Sequence, residues 1–381
     1  MRTLLLTGPG GAGTSSLAAA AAIRAARNGR RAVLLSRQAP AVPELDAEPG
    51  LTVTTVDPQT AVEGLWAGAA RAAGAVLPQL TLPPATSVVP LPGAADLALF
   101  AALAGADADL VVVDAGPIES ALALVTLPVT LRWWLEQLMP PGMRALGAVR
   151  TAAVASGAAR RGPVDAALAA VPVVEALLAR DRLADPAGTG VHLVAAPRAS
   201  SVSALRAAAT VLGLHGLRAG AVLSRVLPLP GDDEWTTARA AEQEAALTAL
   251  VAVAPVLRVP ELSVAPADVD GVCALLDDEL PESAGVPVPA PERHDGAWRL
   301  TLPLPFAARD AVTLTRWVDD LVLTVGGIRR SVRLDALLRR CEVTGGRLAD
   351  PGTADARLEV GFRPDPQLWP ADLLSAVERP S

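Results

Sequence analysis

The segment Gly8-Pro9-Gly10-Gly11-Ala12-Gly13-Thr14-Ser15-Ser16 lies one residue, Thr7, after the apolar run Leu4-Leu5-Leu6, and it constrains the fold more than any other stretch of the chain. A short strand that runs into closely spaced glycines and then into hydroxyl residues at a helix start has the layout of a phosphate-cradling loop, G-x-x-x-x-G-K-[ST]. Gly8, Gly13 and Ser15 fall on that pattern, and Thr14 stands where the lysine belongs. The chain contains no lysine, so all of its 33 basic residues are arginines. A composition rich in Ala, Arg and Pro tends to turn lysine into arginine, yet this position holds threonine, so the positive charge itself is given up. The backbone N–H groups of Gly10 to Ser15 and the helix start can still form a nest for an anion. The alternative is that the glycines serve only a tight strand-to-helix turn.

At 381 residues, 51% of them hydrophobic, the chain can bury a large core and divide into two or three domains. A net charge of -7 argues against a nucleic-acid partner held by general electrostatics. Cys273 and Cys341 are too few for a disulfide framework and lack C-x-x-C spacing, which points to a reduced, cytoplasmic setting without a zinc site. The N-terminal apolar run is too short for a signal sequence. No run of about 18 apolar residues lacks charges, so no transmembrane span is expected.

Apolar strands alternate with Ala/Leu-rich helical stretches. A helix is expected from Ser15 and Ser16 through Leu17 to Arg27, stopped by Asn28-Gly29. Strands are expected at Ala32 to Leu35, Leu51 to Val56, Leu110 to Asp114, His192 to Ala196, Ala221 to Ser224 and Val256 to Val259. Their continuous Val/Leu/Ala character is that of strands covered on both faces, hence a parallel α/β sheet. Ligands on such sheets bind at the carboxyl ends of the strands, where the glycine loop lies. Leu110-Val111-Val112-Val113-Asp114 is an apolar strand ending in a carboxylate, an arrangement that can hold magnesium beside a phosphate; strands also end in Asp for turn reasons alone. Near Pro281 to Ala297 the composition shifts, and Pro287, Pro289 and Pro291 make a stiff linker over 281–296. Beyond it, alternating stretches such as Trp298-Arg299-Leu300-Thr301-Leu302 and close-set turns predict an antiparallel β module.

With these residues in place the chain resembles the ArsA-type ATPases, the arsenite-pump and tail-anchored-protein-targeting class of P-loop proteins with the SIMIBI-type fold. Their loop reads G-K-G-G-x-G-K-[ST]-[ST], and Gly8, Gly10, Gly11, Gly13, Ser15 and Ser16 match it. Asp114-Ala115-Gly116-Pro117 and Thr130-Leu131-Arg132-Trp133-Trp134-Leu135-Glu136 resemble the family's second switch and the helix after it. Leu212-Gly213-Leu214-His215-Gly216 and Ser224-Arg225-Val226-Leu227-Pro228 resemble its late base-binding stretch. Val325-Gly326-Gly327-Ile328-Arg329-Arg330-Ser331-Val332 and Arg357-Leu358-Glu359-Val360 resemble the α-crystallin or HSP20-like domain of some bacterial members. The resemblance covers nearly the whole chain.

It implies a P-loop domain over 1–280 with a helical subdomain at about 131–182, a linker at 281–296, a β-sandwich at 297–362 and a tail at 363–381. It also implies ATP with magnesium as the cofactor. The nucleotide would lie against Gly8, Gly10, Gly11, Ala12, Gly13, Thr14, Ser15, Ser16 and Ser224, and Ser15 and Asp114 would serve the metal only if nucleotide binds. The departures weigh against turnover. Pro9 replaces the lysine that in the family reaches a partner subunit's nucleotide, and Thr14 replaces the loop lysine. The family's S-T-D-P-A switch, whose aspartate orients the attacking water, reads Arg37-Gln38-Ala39-Pro40-Ala41 here, and the base-recognising asparagine is Ser224. Losing one preorganised charge costs about 10²- to 10³-fold in rate. Arg37 or Arg225 could supply charge, but a guanidinium does not reproduce a loop ammonium.

Leu122 to Met143, with Leu131, Trp133, Trp134, Leu135, Leu138 and Met139, reads as a helix able to present an adaptable groove to an apolar segment; the alternative is that Trp133 and Leu138 pack in the core. Val164 to Leu183 could form another wall. Trivalent arsenic needs clustered thiolates, and Cys273 and Cys341 lie in different expected domains, so arsenite handling is not expected. His192, His215 and His294 read as structural or surface groups. Two functions remain. One is a non-hydrolysing, client-binding or partner-regulating subunit of a homodimer, or of a heterodimer with an intact paralogue. The other is an atypical ATPase driving protein targeting or transport.

Overall fold

The computed structural model describes residues 2–40, 42–76, 82–158, 163–281, 286, 289–294 and 297–369. In chain order the first part runs β1 (Arg2–Gly8), α1 (Thr14–Arg27), β2 (Ala32–Ser36), β3 (Leu51–Thr55), α2 (Pro58–Val76), α3 (Ala94–Gly105), β4 (Leu110–Pro117), α4 (Ile118–Leu138), α5 (Pro141–Ala155) and α6 (Pro163–Ala179). It continues with β5 (Thr189–Ala195), α7 (Ala199–Leu214), β6 (Ala219–Val226), α8 (Glu234–Leu250), β7 (Val256–Pro260) and α9 (Val269–Cys273). The last part is β8 (Pro291–His294), β9 (Ala297–Pro303), β10 (Val312–Trp317), β11 (Asp320–Val325), β12 (Ile328–Arg333), β13 (Cys341–Ala349) and β14 (Arg357–Pro364). Strands β1 to β7 form a seven-stranded sheet in the order β3-β2-β4-β1-β5-β6-β7, the parallel α/β architecture expected from the apolar runs.

Two compact units divide the chain, one of residues 1–6, 14–188 and 264–280, the other of 7–13, 189–263 and 281–381. In the first, α1 is apolar nearly all round, with Ala18 through Ile23 buried, because it packs against β2 and β4 on one side and α9 on the other. Gly29, at φ +82°, closes it in the left-handed conformation that spares a Cβ its clash. The Arg24 guanidinium donates to the carbonyls of Cys273 (3.0 Å) and Leu276, giving acceptors at the end of α9 a partner. Strand β4 is buried from Leu110 through Ala115, as two covered faces require.

The helical subdomain carries one correction. The stretch Leu122 to Met143, expected as one helix, is the end of α4 and the start of α5. The break at Met139 and Pro140 follows from Pro140-Pro141, because a residue before proline is driven out of the helical region. Helix α4 is long and apolar enough to cross a membrane by length and composition. Here its first half packs on β4 and α3, burying Ile118, Ala121, Leu124, Val125 and Pro128. Gly147 of α5 lets α6 approach closely, since a Cβ there would meet Leu168 at 2.8 Å.

In the second unit the β module is a three-stranded sheet, β10-β11-β12, facing a four-stranded one, β13-β14-β9-β8. Leu300 and Leu302 of β9, Leu321, Leu323 and Val325 of β11, and Leu358, Val360 and Phe362 of β14 share its core. Gly326 (φ +57°) and Gly327 (φ +79°) make the two-residue turn between β11 and β12 that right-twisted strands favour. Strand β8 falls inside the stretch expected as linker: Pro291 opens an edge strand, where a missing N–H is tolerated, and pairs with Leu300. Of the other linker prolines, Pro287 lies outside the described residues.

The module is also fastened to α7. Leu214 joins the module's core, Thr210 donates to the Pro305 carbonyl at 2.6 Å, and Arg330 donates to the carbonyl of Leu214. A Cβ on Gly213 would fall 2.6 Å from Pro305 and 3.1 Å from the Pro303 carbonyl, so this contact requires glycine.

Candidate functional site

The glycine loop leaves β1 at Gly8 and enters α1 at Thr14. Gly11 (φ +77°) and Gly13 (φ +92°) are left-handed, and a Cβ at Gly10 or Gly11 would meet nothing within 4 Å, so the surface of the loop is open. The Ala12 amide donates to Pro9 across the turn at 3.2 Å. Loop amides not used within the turn are the groups that could meet an anion there.

In the first unit, Thr14 is buried at the start of α1 while Ser15 is exposed. Parallel pairing of β2 with β4, in the register Leu35 with Val113, sets Ser36 level with Asp114. The Ser36 hydroxyl donates to Asp114 Oδ2 at 3.2 Å and accepts from the Gln38 amide at 3.1 Å. The Gly116 amide donates to the other carboxylate oxygen at 3.1 Å. Asp114 is buried, and no arginine among the described residues pairs with it. Ser15, Ser16, Ser36 and Asp114 line a cavity of about 40 Å³, closed on its other side by Ala39, Pro40, Val42 and Leu45. That space holds about one water or a small cation.

Ser15 and Asp114 line one cavity together with Ser36, which the sequence reading did not single out. A lone serine at a strand end carries no signal by itself; only the register of β2 against β4 reveals it. Ala39 faces the cavity as a methyl group and supplies no carboxylate. Arg37 is held by Asp96 at 2.6 Å.

In the second unit, Ser224 of β6 is fully buried, and its hydroxyl finds no partner among the described residues. A hydroxyl with no exposed surface is not presented to a ligand in this arrangement. The neighbouring Arg225 instead reaches the loop: its Nη1 lies 3.8 Å from where a Cβ on Gly13 would sit. Its Nε pairs with Glu261 Oε2 at 2.5 Å. Burial lowers the His192 pKa to about 4, and burial together with Arg330 lowers that of His215 to about 3. His294 is on β8.

Tested against ATP with magnesium, the donor set divides. The oxygens of Ser15, Ser36 and Asp114 fit a hard divalent cation, and the open loop fits a phosphate. The charge that neutralises a transferring phosphoryl group has no counterpart at positions 9, 14 and 39.

Comparison with known proteins agrees with the residue-level reading. The family described as anion-transporting ATPase matches residues 1–277, and the HSP20-like domain found in ArsA matches residues 295–362. The uncharacterized protein SCO2128 of Streptomyces coelicolor is 38% identical over 409 aligned positions, covering 97% of this chain and 99% of that protein. Protein Rv2184c of Mycobacterium tuberculosis is 30% identical over 430 positions, covering 97% of each. With its parallel sheet, glycine loop and C-terminal β module, the chain belongs to the ArsA-type anion-transporting ATPase family.

Proposed function

We propose that this chain is a non-hydrolysing member of its family that holds an apolar segment of a partner protein on its helical subdomain. On this reading it works in the cytoplasm as one half of a dimer, with a second copy or with a paralogue whose loop is complete. The observation that carries the reading is the set of large apolar side chains left open to solvent on α4 and on α5. Trp134 (51% exposed) and Leu138 (65%) follow each other one turn apart on α4. Met143, Leu146 (70%) and Val149 recur every third residue on α5. Large apolar side chains exposed in series on each of two helices are unusual on a surface that meets only water. Trp133, half-buried, holds Trp134 edge-on at 4.9 Å between ring centres, which limits how far that ring can turn inward. The vacated charges at the loop support the other half of the reading.

A fluorescent, uncharged twenty-residue apolar helix peptide provides the test. Leu138→Glu combined with Leu146→Glu is expected to weaken its binding at least about tenfold, the scale set by burying two leucines. Because both side chains are exposed, the melting temperature should stay close to that of the unmodified protein. Equal binding by the two proteins, or none by either, contradicts the client role.

A second reading, an atypical ATPase coupled to targeting or transport, draws on the convergence of Ser15, Ser36 and Asp114 on one cavity. It needs cationic groups that the loop itself does not carry.

A further inference from the structure

We propose that Arg225 takes over the anion-binding duty of the missing loop lysine, making Gly8–Gly13 a phosphoanion site in which Glu261 is the resting counter-ion of the arginine. The inference rests on reading the loop as non-hydrolysing and deepens it by naming what the loop binds.

Arg225 is the penultimate residue of β6, so it emerges at the carboxyl edge of the sheet, where parallel strands present ligand-binding groups. It is partly exposed, and its Nη1 lies 3.8 Å from where a Cβ on Gly13 would sit. Glu261 is fixed opposite, since its own amide donates to the Val226 carbonyl at 2.7 Å. Its carboxylate lies 2.5 Å from Nε without an aligned hydrogen bond, and Nη1 is the guanidinium atom nearest Gly13. Arg37, the other arginine near the switch stretch, is committed to Asp96 with both side chains mostly buried.

A guanidinium donates through a planar fork, and one edge can engage a carboxylate while another engages a phosphate oxygen. Glu261 lowers the net positive charge felt at the loop, so an anion entering there competes with it. This arrangement favours a multiply charged phosphate group over a carboxylate. It binds without driving phosphoryl transfer, because the other groups that act on a transferring phosphoryl are absent at positions 9, 14 and 39.

The test is titration calorimetry of the full chain with ATP, ADP and inorganic phosphate, on the unmodified protein, Arg225→Ala and Glu261→Gln, with phosphate release followed in parallel. Arg225→Ala is expected to weaken the tightest of these ligands at least about tenfold, and Glu261→Gln to tighten it severalfold. Equal affinity for phosphate and ADP identifies free phosphate as a sufficient ligand; tighter ADP identifies the phosphate chain of a nucleotide. Glu261→Gln is the safeguard should Arg225→Ala fold poorly. Unchanged affinity in both variants overturns the inference and leaves the non-hydrolysing reading in place. Absence of binding by the unmodified protein and by Glu261→Gln also overturns it. Steady phosphate release by the unmodified protein overturns the non-hydrolysing reading instead.

Discussion

Pro9→Lys, Thr14→Lys and Ala39→Asp introduced together are expected to raise phosphate release from Mg-ATP at least about 10²-fold over the unmodified chain, whereas Thr14→Lys alone should leave it within about tenfold. Charges preorganised around a transferring phosphoryl group act as a set, so one restored member gains little while its partners are absent. The structure supports the asymmetry. Thr14 is buried at the first turn of α1, so a lysine there must extend its stem out toward the loop before its ammonium meets a phosphate. Ala39 already faces the cavity shared by Ser15, Ser36 and Asp114, so an aspartate at that position is placed to hold a water beside them. Steady-state phosphate release on the single and triple variants decides the matter. Strong turnover in Thr14→Lys alone would show that the missing roles have been misassigned to Pro9 and Ala39.

Stability is expected to fall steadily as the pH is lowered from about 6.5 toward 4, by on the order of 1.4 kcal/mol per pH unit for each of two histidines. His192 lies on β5 with no exposed surface, and His215 ends α7 beside Arg330. Burial holds the first near pKa 4 and the second near 3, against an ordinary value of 6.5. Below pH 6.5 the unfolded chain takes up protons at these positions that the folded chain refuses, so folding is penalised. Above 6.5 both states are neutral and the contribution is complete. The drop for His192 ends near its folded pKa, and that for His215 continues about a unit lower. Urea midpoints measured at pH 7, 6 and 5 check the slope. His192→Gln should flatten it relative to the unmodified protein even if overall stability is lower. An equal slope in that variant would show that His192 titrates normally in the fold. The His215 share reports on the fastening of the β module to α7, because Arg330 reaches the Leu214 carbonyl just before it.

The sheet was legible because its central strands, such as β4 and β6, are short, covered apolar runs, while the edge strands β3 and β7 are partly exposed and carry a weaker version of the pattern. The loop and the Asp114 strand end were legible for the same reason, each being a local pattern. What escaped were features set by register and by distance along the chain. Ser36 acquires meaning only because β2 lies beside β4 with Leu35 opposite Val113. The closeness of Arg225 to Gly13 depends on where β6 ends relative to the turn after β1. Strand β8 was hidden by proline, whose usual reading is a linker, although an edge strand tolerates it at its first position. The fastening of the β module to α7 was hidden too, because Gly213 reads as an ordinary helical glycine until Pro305 is seen against it. Leu138 resolved in the opposite direction from its core alternative: it stands open to solvent beside Trp134.

The most direct measurement of the central claim is phosphate release from Mg-ATP by the unmodified chain, followed on the sample used for calorimetric titration with Mg-ATP and Mg-ADP. The account predicts no steady release, with any heat arising from binding alone. Steady release that Asp114→Ala abolishes would contradict it and establish the chain as a working ATPase.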